Sequence, residues 1–142
     1  METRGQHLLI EFRGCKGPVL NDPDALQVLM ERAVEATRAT IVNSVFHVFA
    51  PQGVTGVVVV EESHFSIHTW PEHGYVAVDA YTCGDCHPQR AREVLRAGLA
   101  ASSTESMLIE RGLGLPAGDI KIAAHDIEQD AQAVPRQAAA AG

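Results

Sequence analysis

The sequence predicts an α+β domain, a two-layer sandwich in which a mostly antiparallel sheet carries two main helices on one face. Three observations predict it. Two stretches space their apolar residues at three and four positions, as helices packed on a core do. Several runs rich in Val, Ile and Phe are separated by short Pro- and Gly-containing turns. Those strand runs and the helices come in an order that fits helices covering one side of a sheet.

Residues 6–13 read as the first strand, ended by Gly14. Asn21-Asp22-Pro23 then offers an Asx side chain able to cap, with proline just inside the helix start, where its missing N–H costs nothing. Leu26, Leu29, Met30, Ala33, Val34 and Thr37 predict a helix over 23–39. Residues 40–50, the turn Pro51-Gln52-Gly53, and residues 54–61 with four consecutive valines read as two strands closely connected. A second pair follows: 64–70, the turn Pro71-Glu72-His73-Gly74, and 75–82. In the last of these, Tyr75, Ala77, Asp79 and Tyr81 alternate with Val76, Val78 and Ala80, giving two unlike faces. A second helix is expected from Pro88, with Ala91, Val94, Leu95, Gly98 and Leu99 on one face, and 105–111 adds a strand. From Pro116 to Gly142 periodicity is lost, so residues 1–115 are expected to form the domain and 116–142 a loosely held tail.

The 142 residues, 46% of them hydrophobic, suit one compact domain. With 11 Lys and Arg against 18 Asp and Glu, the net charge of −7 argues against nucleic acid as a partner, which requires clustered cations. Leu8-Leu9-Ile10 is too short, and too soon followed by Glu11, for a signal peptide, and no run reaches the roughly 18 apolar residues of a membrane span. Three cysteines, Cys15, Cys83 and Cys86, are too few for a disulfide framework. The expectation is a cytoplasmic protein with no membrane partner.

Chemistry concentrates between Glu61 and Tyr75 and again at Tyr81-Thr82-Cys83-Gly84, where hydroxyls, imidazoles, carboxylates, an indole and a thiol fall on adjacent strands. His64, Ser66, His68 and Trp70 on one strand face would make an odd core, because buried polar groups need partners.

The run Glu62-Ser63-His64-Phe65-Ser66-Ile67-His68-Thr69-Trp70-Pro71-Glu72-His73-Gly74-Tyr75, with Thr82-Cys83-Gly84, closely resembles the processing and active-site signature of the short prokaryotic S-adenosylmethionine decarboxylases. The likeness extends upstream through Phe46–Val59 and Gly5-Gln6-His7-Leu8, covering roughly residues 5–112. It implies a proenzyme that cuts itself between Glu62 and Ser63 into chains 1–62 and 63–142. The Ser63 hydroxyl attacks the Glu62 carbonyl carbon, the amide becomes an ester, and loss of the Ser63 α-proton expels it. Hydrolysis of the resulting dehydroalanine leaves a pyruvoyl group, the covalent cofactor. Only Ser, Thr or Cys can begin such a shift, and the bond must be held in a strained turn.

The same resemblance assigns His68 as the base for elimination, consistent with an imidazole that is neutral near pH 7, and Thr55 as a supporting hydroxyl at a position that is commonly Ser. The pyruvoyl carbonyl then takes the substrate amine as a Schiff base and serves as the electron sink for carbon dioxide loss. Cys83 matches the residue that returns the proton. Phe49 and Trp70 offer flat faces to an adenine or a sulfonium, and Glu72 suits ribose hydroxyls. A symmetric homodimer of cleaved protomers, with active sites near the subunit interface, is implied as well. The product, decarboxylated S-adenosylmethionine, is the aminopropyl donor for spermidine synthesis.

Two other motifs compete. Cys83-Gly84-Asp85-Cys86-His87 fits the C-x-x-C-H pattern of haem attachment, and C-x-x-C alone is a redox or zinc half-site. His64, His68 and His73 with Glu72 include metal-ligating types, but their gaps suit a helix face and their surroundings read as strand and turn. Neither haem nor metal is expected. The alternatives on function keep the machinery and change the substrate to arginine or ornithine, or make the chain a processing-dead binding subunit. Retention of Ser63, His68 and Cys83 together argues against the last.

Overall fold

The structure is a computed structural model, and it describes residues 3–83 and 86–129. Seven strands form one sheet: β1 (Gly5–Arg13), β2 (Ile41–Val48), β3 (Val54–Val60), β4 (Ser63–Trp70), β5 (Tyr75–Cys83), β6 (Ser103–Arg111) and β7 (Lys121–Gln129). They lie in the order β2-β3-β4-β5-β1-β6-β7, every neighbouring pair antiparallel. Helices α1 (Pro23–Ala36) and α2 (Gln89–Leu99) cross between strands that point the same way and pack together. The expected two-layer α+β sandwich is therefore the observed one.

Strand alternation divides the sheet into two faces. Leu8, Ile10 and Phe12 of β1, Val58 of β3, Phe65 and Ile67 of β4, and Val76, Val78 and Ala80 of β5 point to the helices. There they meet Leu26, Met30, Ala33 and Val34 of α1 and Ala91, Leu95 and Leu99 of α2. The two helices approach so closely that a Cβ on Gly98 would lie 2.3 Å from a Leu29 methyl, which is why this helical position has no side chain. Cys15 belongs to this core, where burial pushes its thiol up to about 12. The opposite face has no helix over it among the described residues, and it carries the polar side chains of β4 and β5.

At α1 the Asp22 side chain accepts from the Ala25 N–H at 3.1 Å, the cap expected of the Asx-Pro start. The helix ends at Ala36 and not at residue 39. Thr37 turns its hydroxyl onto the Val34 carbonyl at 2.6 Å, and Arg38 is left-handed at φ 71°, so the helical ladder cannot continue.

The loosely held tail is corrected over Lys121–Gln129. Those residues form β7, in register with β6 from Ser103 opposite Gln129 to Glu110 opposite Lys121, so the sheet extends past the expected boundary at 115. Every β7 residue is exposed, and a strand with neither face buried leaves no hydrophobic alternation in its sequence. Residues 130–142, where the rest of that expectation falls, lie outside the described residues. No helix among the described residues is long and apolar enough to cross a membrane.

Candidate active site

Pairing of Val60 with Ser63 leaves Glu61 and Glu62 as a two-residue loop between β3 and β4. Loops this tight favour Asn or Gly where the backbone turns left-handed. Glu62 is neither, yet its φ is +64°. An L-residue so placed costs roughly 1–2 kcal/mol, so the Glu62–Ser63 peptide sits directly after a strained residue. The loop is held on its other side by the Glu61 N–H, which donates to the Thr40 carbonyl at 3.1 Å.

His64 pairs with Tyr81 across β4 and β5. Ser63 begins β4 and Cys83 ends β5, so the two lie at the same end of adjacent strands. Cys83 is half-buried, at the same end of the sheet as Ser63.

The other predicted residues gather at the opposite end. Thr55 of β3 pairs with His68 of β4, and Thr55 Oγ1 lies 3.1 Å from His68 Nδ1. Trp70 is stacked on Tyr75 with ring centroids 5.0 Å apart, and its ring is 6.4 Å from that of His68. The Tyr75 hydroxyl donates to Glu11 at 2.5 Å, and burial together with Glu11 pushes its pKa up to about 12. Phe49, just past β2, is held by its N–H on the Gly53 carbonyl and is 49% exposed. Glu72 is exposed in the single 3-10 turn Pro71–His73 that joins β4 to β5.

Thr55 and His68 are thus brought together; Ser63 and Cys83 share one end of adjacent strands, but alternation turns their side chains to opposite faces, and they stand apart from the Thr55–His68 pair. Ser63 and His68 stand at the two ends of β4, five residues or roughly 16 Å apart, and alternation directs them to opposite faces. The direct His68–Ser63 contact that an elimination base needs is absent within one chain.

A model of the S-adenosylmethionine decarboxylase family matches residues 6–112. The chain belongs to that family. A curated S-adenosylmethionine decarboxylase proenzyme from Bacillus velezensis is 44% identical over 114 residues, covering 80% of this chain and 90% of the relative. Another of the same name, from Thermotoga petrophila, is 45% identical over 121 residues, covering 82% and 93%. Among solved structures, the adenosylmethionine decarboxylase of Aquifex aeolicus superposes with a TM-score of 0.71 at 35% identity, covering 80% of this chain and 95% of that one.

One polar cluster on this S-adenosylmethionine decarboxylase sheet went unassigned in the sequence. His7 Nε2 lies 2.6 Å and His64 Nε2 3.1 Å from the same oxygen of Asp79, whose other oxygen accepts from the Ser66 hydroxyl. Burial would raise the Asp79 pKa, but the hydrogen bonds from Ser66, His7 and His64 outweigh it and hold the carboxyl below its ordinary value. The signal was a carboxylate in the middle of a period-two strand, in phase with Tyr75 and Tyr81. Of the metal set weighed from sequence, His64 and His68 lie four residues apart on one strand, roughly 13 Å, which is too far to share an ion. His7, His64 and Asp79 instead bring their ligand atoms within 4.8 Å of one another. Gly84 and Asp85 of the haem-like motif lie outside the described residues.

Proposed function

We propose that this chain is a self-cleaving decarboxylase that acts on S-adenosylmethionine, through a pyruvoyl group formed from Ser63. The observation that carries the reading is the left-handed Glu62 immediately before Ser63, in a member of a family whose relatives are named as proenzymes. The strain favours converting this amide to an ester, because the ester link runs through the Ser63 Oγ and Cβ and frees the Ser63 amine, lengthening the two-residue loop so that Glu62 can leave its left-handed conformation. The residues present fit the group: a serine at a strand end, directly after a strained loop, with a thiol at the same end of the neighbouring strand. When formed, the group supplies a ketone that holds the substrate amine and withdraws electrons from the carboxylate carbon.

Around it, this chain's own residues have separate tasks. Cys83, at the same strand end as Ser63, holds the proton that goes back to the carbon losing carbon dioxide. Thr55 orients the His68 ring through Nδ1, leaving Nε2 to take the α-proton of Ser63 of the partner subunit. Trp70, braced by Tyr75, and Phe49 present aromatic faces to the adenine or sulfonium, and Glu72 meets the ribose hydroxyls.

The separation of the two half-sites supports a homodimer in which each copy completes the other. A two-fold axis that lays the open faces together places the Thr55–His68 end of one copy over the end of its partner that carries Cys83 and the Glu61-Glu62 loop, so that the cut peptide is approached from the open face. The aliphatic side chains on that face agree, with Val45, Val59 and Ile127 at 62%, 41% and 67% exposed.

The relatives do not favour arginine or ornithine as substrate, nor a processing-dead subunit. Incubating purified protein with each of the three labelled compounds tests this: carbon dioxide is expected from S-adenosylmethionine. Release from arginine or ornithine alone would overturn the substrate assignment.

A further inference from the structure

Asp79 is the hub of a network across three neighbouring strands. His7 comes from β1, His64 and Ser66 from β4, and Asp79 itself from β5. Beyond His7, Arg111 of β6 donates to His7 Nδ1 at 3.2 Å while lying 5.0 Å from the centre of the Tyr81 ring.

That last contact decides what the cluster does. An arginine has only donors, so His7 Nδ1 must accept, and the His7 proton resides on Nε2, directed at Asp79. A histidine that binds a metal through Nε2 ordinarily donates its Nδ1–H to an acceptor. Here the outer partner is a fixed cation, which leaves His7 without the proton arrangement of a ligand and adds charge repulsion. The cluster therefore favours a hydrogen-bonded carboxylate over a bound ion. With Asp79 ionised, Ser66 and His64 both donate to it, so the two residues of β4 nearest the cut on the open face are tied to the middle of the sheet.

We propose that Asp79 is a positioning residue for self-cleavage, holding His64, and with it the start of β4, so that the Ser63 hydroxyl keeps its place against the Glu62 carbonyl. This rests on the self-cleavage reading above. Ser63 is the first residue of β4 and has only Val60 opposite it on β3, so its ladder alone would fray. His64 is the next residue, and its side chain is anchored where the strand end is not. The network also outlasts the cut, since both β4 donors belong to the fragment that begins at residue 63 and Asp79 belongs to the same fragment.

The test follows the cleavage rate of freshly made full-length chain by intact mass, with thermal unfolding of each variant as a check on folding. Misplacing reacting atoms by about 1 Å can cost on the order of 100-fold, so Asp79→Asn and His64→Ala should each slow cleavage by about that factor. His64→Gln keeps an N–H near the Nε2 position but cannot act as an acid or base, and it should restore most of the rate. If Asp79→Asn does not fold, the Ala and Gln pair at His64 still decides. Wild-type chain that cleaves while Asp79→Asn cleaves equally fast would overturn the proposal and leave self-cleavage standing. So would His64→Gln as slow as His64→Ala, which makes His64 an acid–base group, or loss of wild-type cleavage in a chelator, which makes the cluster a metal site. Wild-type chain that never cleaves would instead overturn the self-cleavage reading itself.

Discussion

Thr55 Oγ1 and His68 Nδ1 are 3.1 Å apart, on adjacent strands and directly paired in register. The contact fixes one nitrogen of the ring and frees the other. A hydrogen bond of this kind is worth about 0.5–1.5 kcal/mol, up to roughly tenfold in rate if it acts in the transition state. Thr55→Val should slow cleavage by up to that factor, while Thr55→Ser, which keeps the hydroxyl, should run near the wild-type rate. The cleavage half-time of each variant, followed by gel or mass, checks this.

The 16 Å between Ser63 and His68, estimated from the strand rise, makes a sharper demand. Ser63→Ala chains and His68→Ala chains should each stay uncleaved alone. Produced together they form mixed pairs in which one site has an intact serine from one copy and an intact histidine from the other. The His68→Ala chain should then be cut in the mixture. If it remains whole although the two chains co-purify, the half-sites are not completed between copies.

The left-handed Glu62 predicts a linked pair of effects. Glycine carries no penalty there, so Glu62→Gly in a Ser63→Ala background should raise the stability of the uncut chain by about 1 kcal/mol, measured by urea unfolding. In the native background the same substitution should slow cleavage, since less strain is released. Faster cleavage would remove strain from the account.

Much of this was legible in the sequence, and what was not has definite physical causes. The Asx-Pro start of α1 and its three- and four-residue apolar spacing fixed that helix, because both the cap and the buried face are local features. Period two in Tyr75–Cys83 disclosed its two faces. The terminus of α1 was missed because Thr37 continues the apolar spacing while its hydroxyl caps the helix. β7 was missed because pairing through the backbone at a sheet edge needs no particular side chain. At the site, the run from Ser63 to Trp70 supplied the candidate residues but not their separation: closeness in sequence along an extended strand means distance in space. The Asp79 hub shows the reverse case, since His7 is 72 residues away and only the placement of β1 beside β5 brings it near.

Asp79 also sets a pH dependence. Burial raises its pKa, but the bonds from Ser66, His7 and His64 more than compensate, so the folded carboxyl titrates below its unfolded value of about 3.9. A group depressed in the folded state contributes stability that is fully present above the unfolded value and is lost as pH falls through the folded one. In uncut Ser63→Ala protein, Asp79→Asn should lower stability near pH 7 and show a shallower decline below about pH 4. Urea midpoints measured from pH 7 to pH 2 check the slope; equal slopes in the two proteins would mean that Asp79 is not held low.

The most direct measurement is the intact mass of the purified chain beside its Ser63→Ala variant. The native chain should separate into two fragments that meet between Glu62 and Ser63, the second starting with a blocked ketoacyl group, and the variant should keep its full mass and release no carbon dioxide from S-adenosylmethionine. A native chain that stays whole while evolving carbon dioxide, or an alanine variant as active as the native protein, would contradict it.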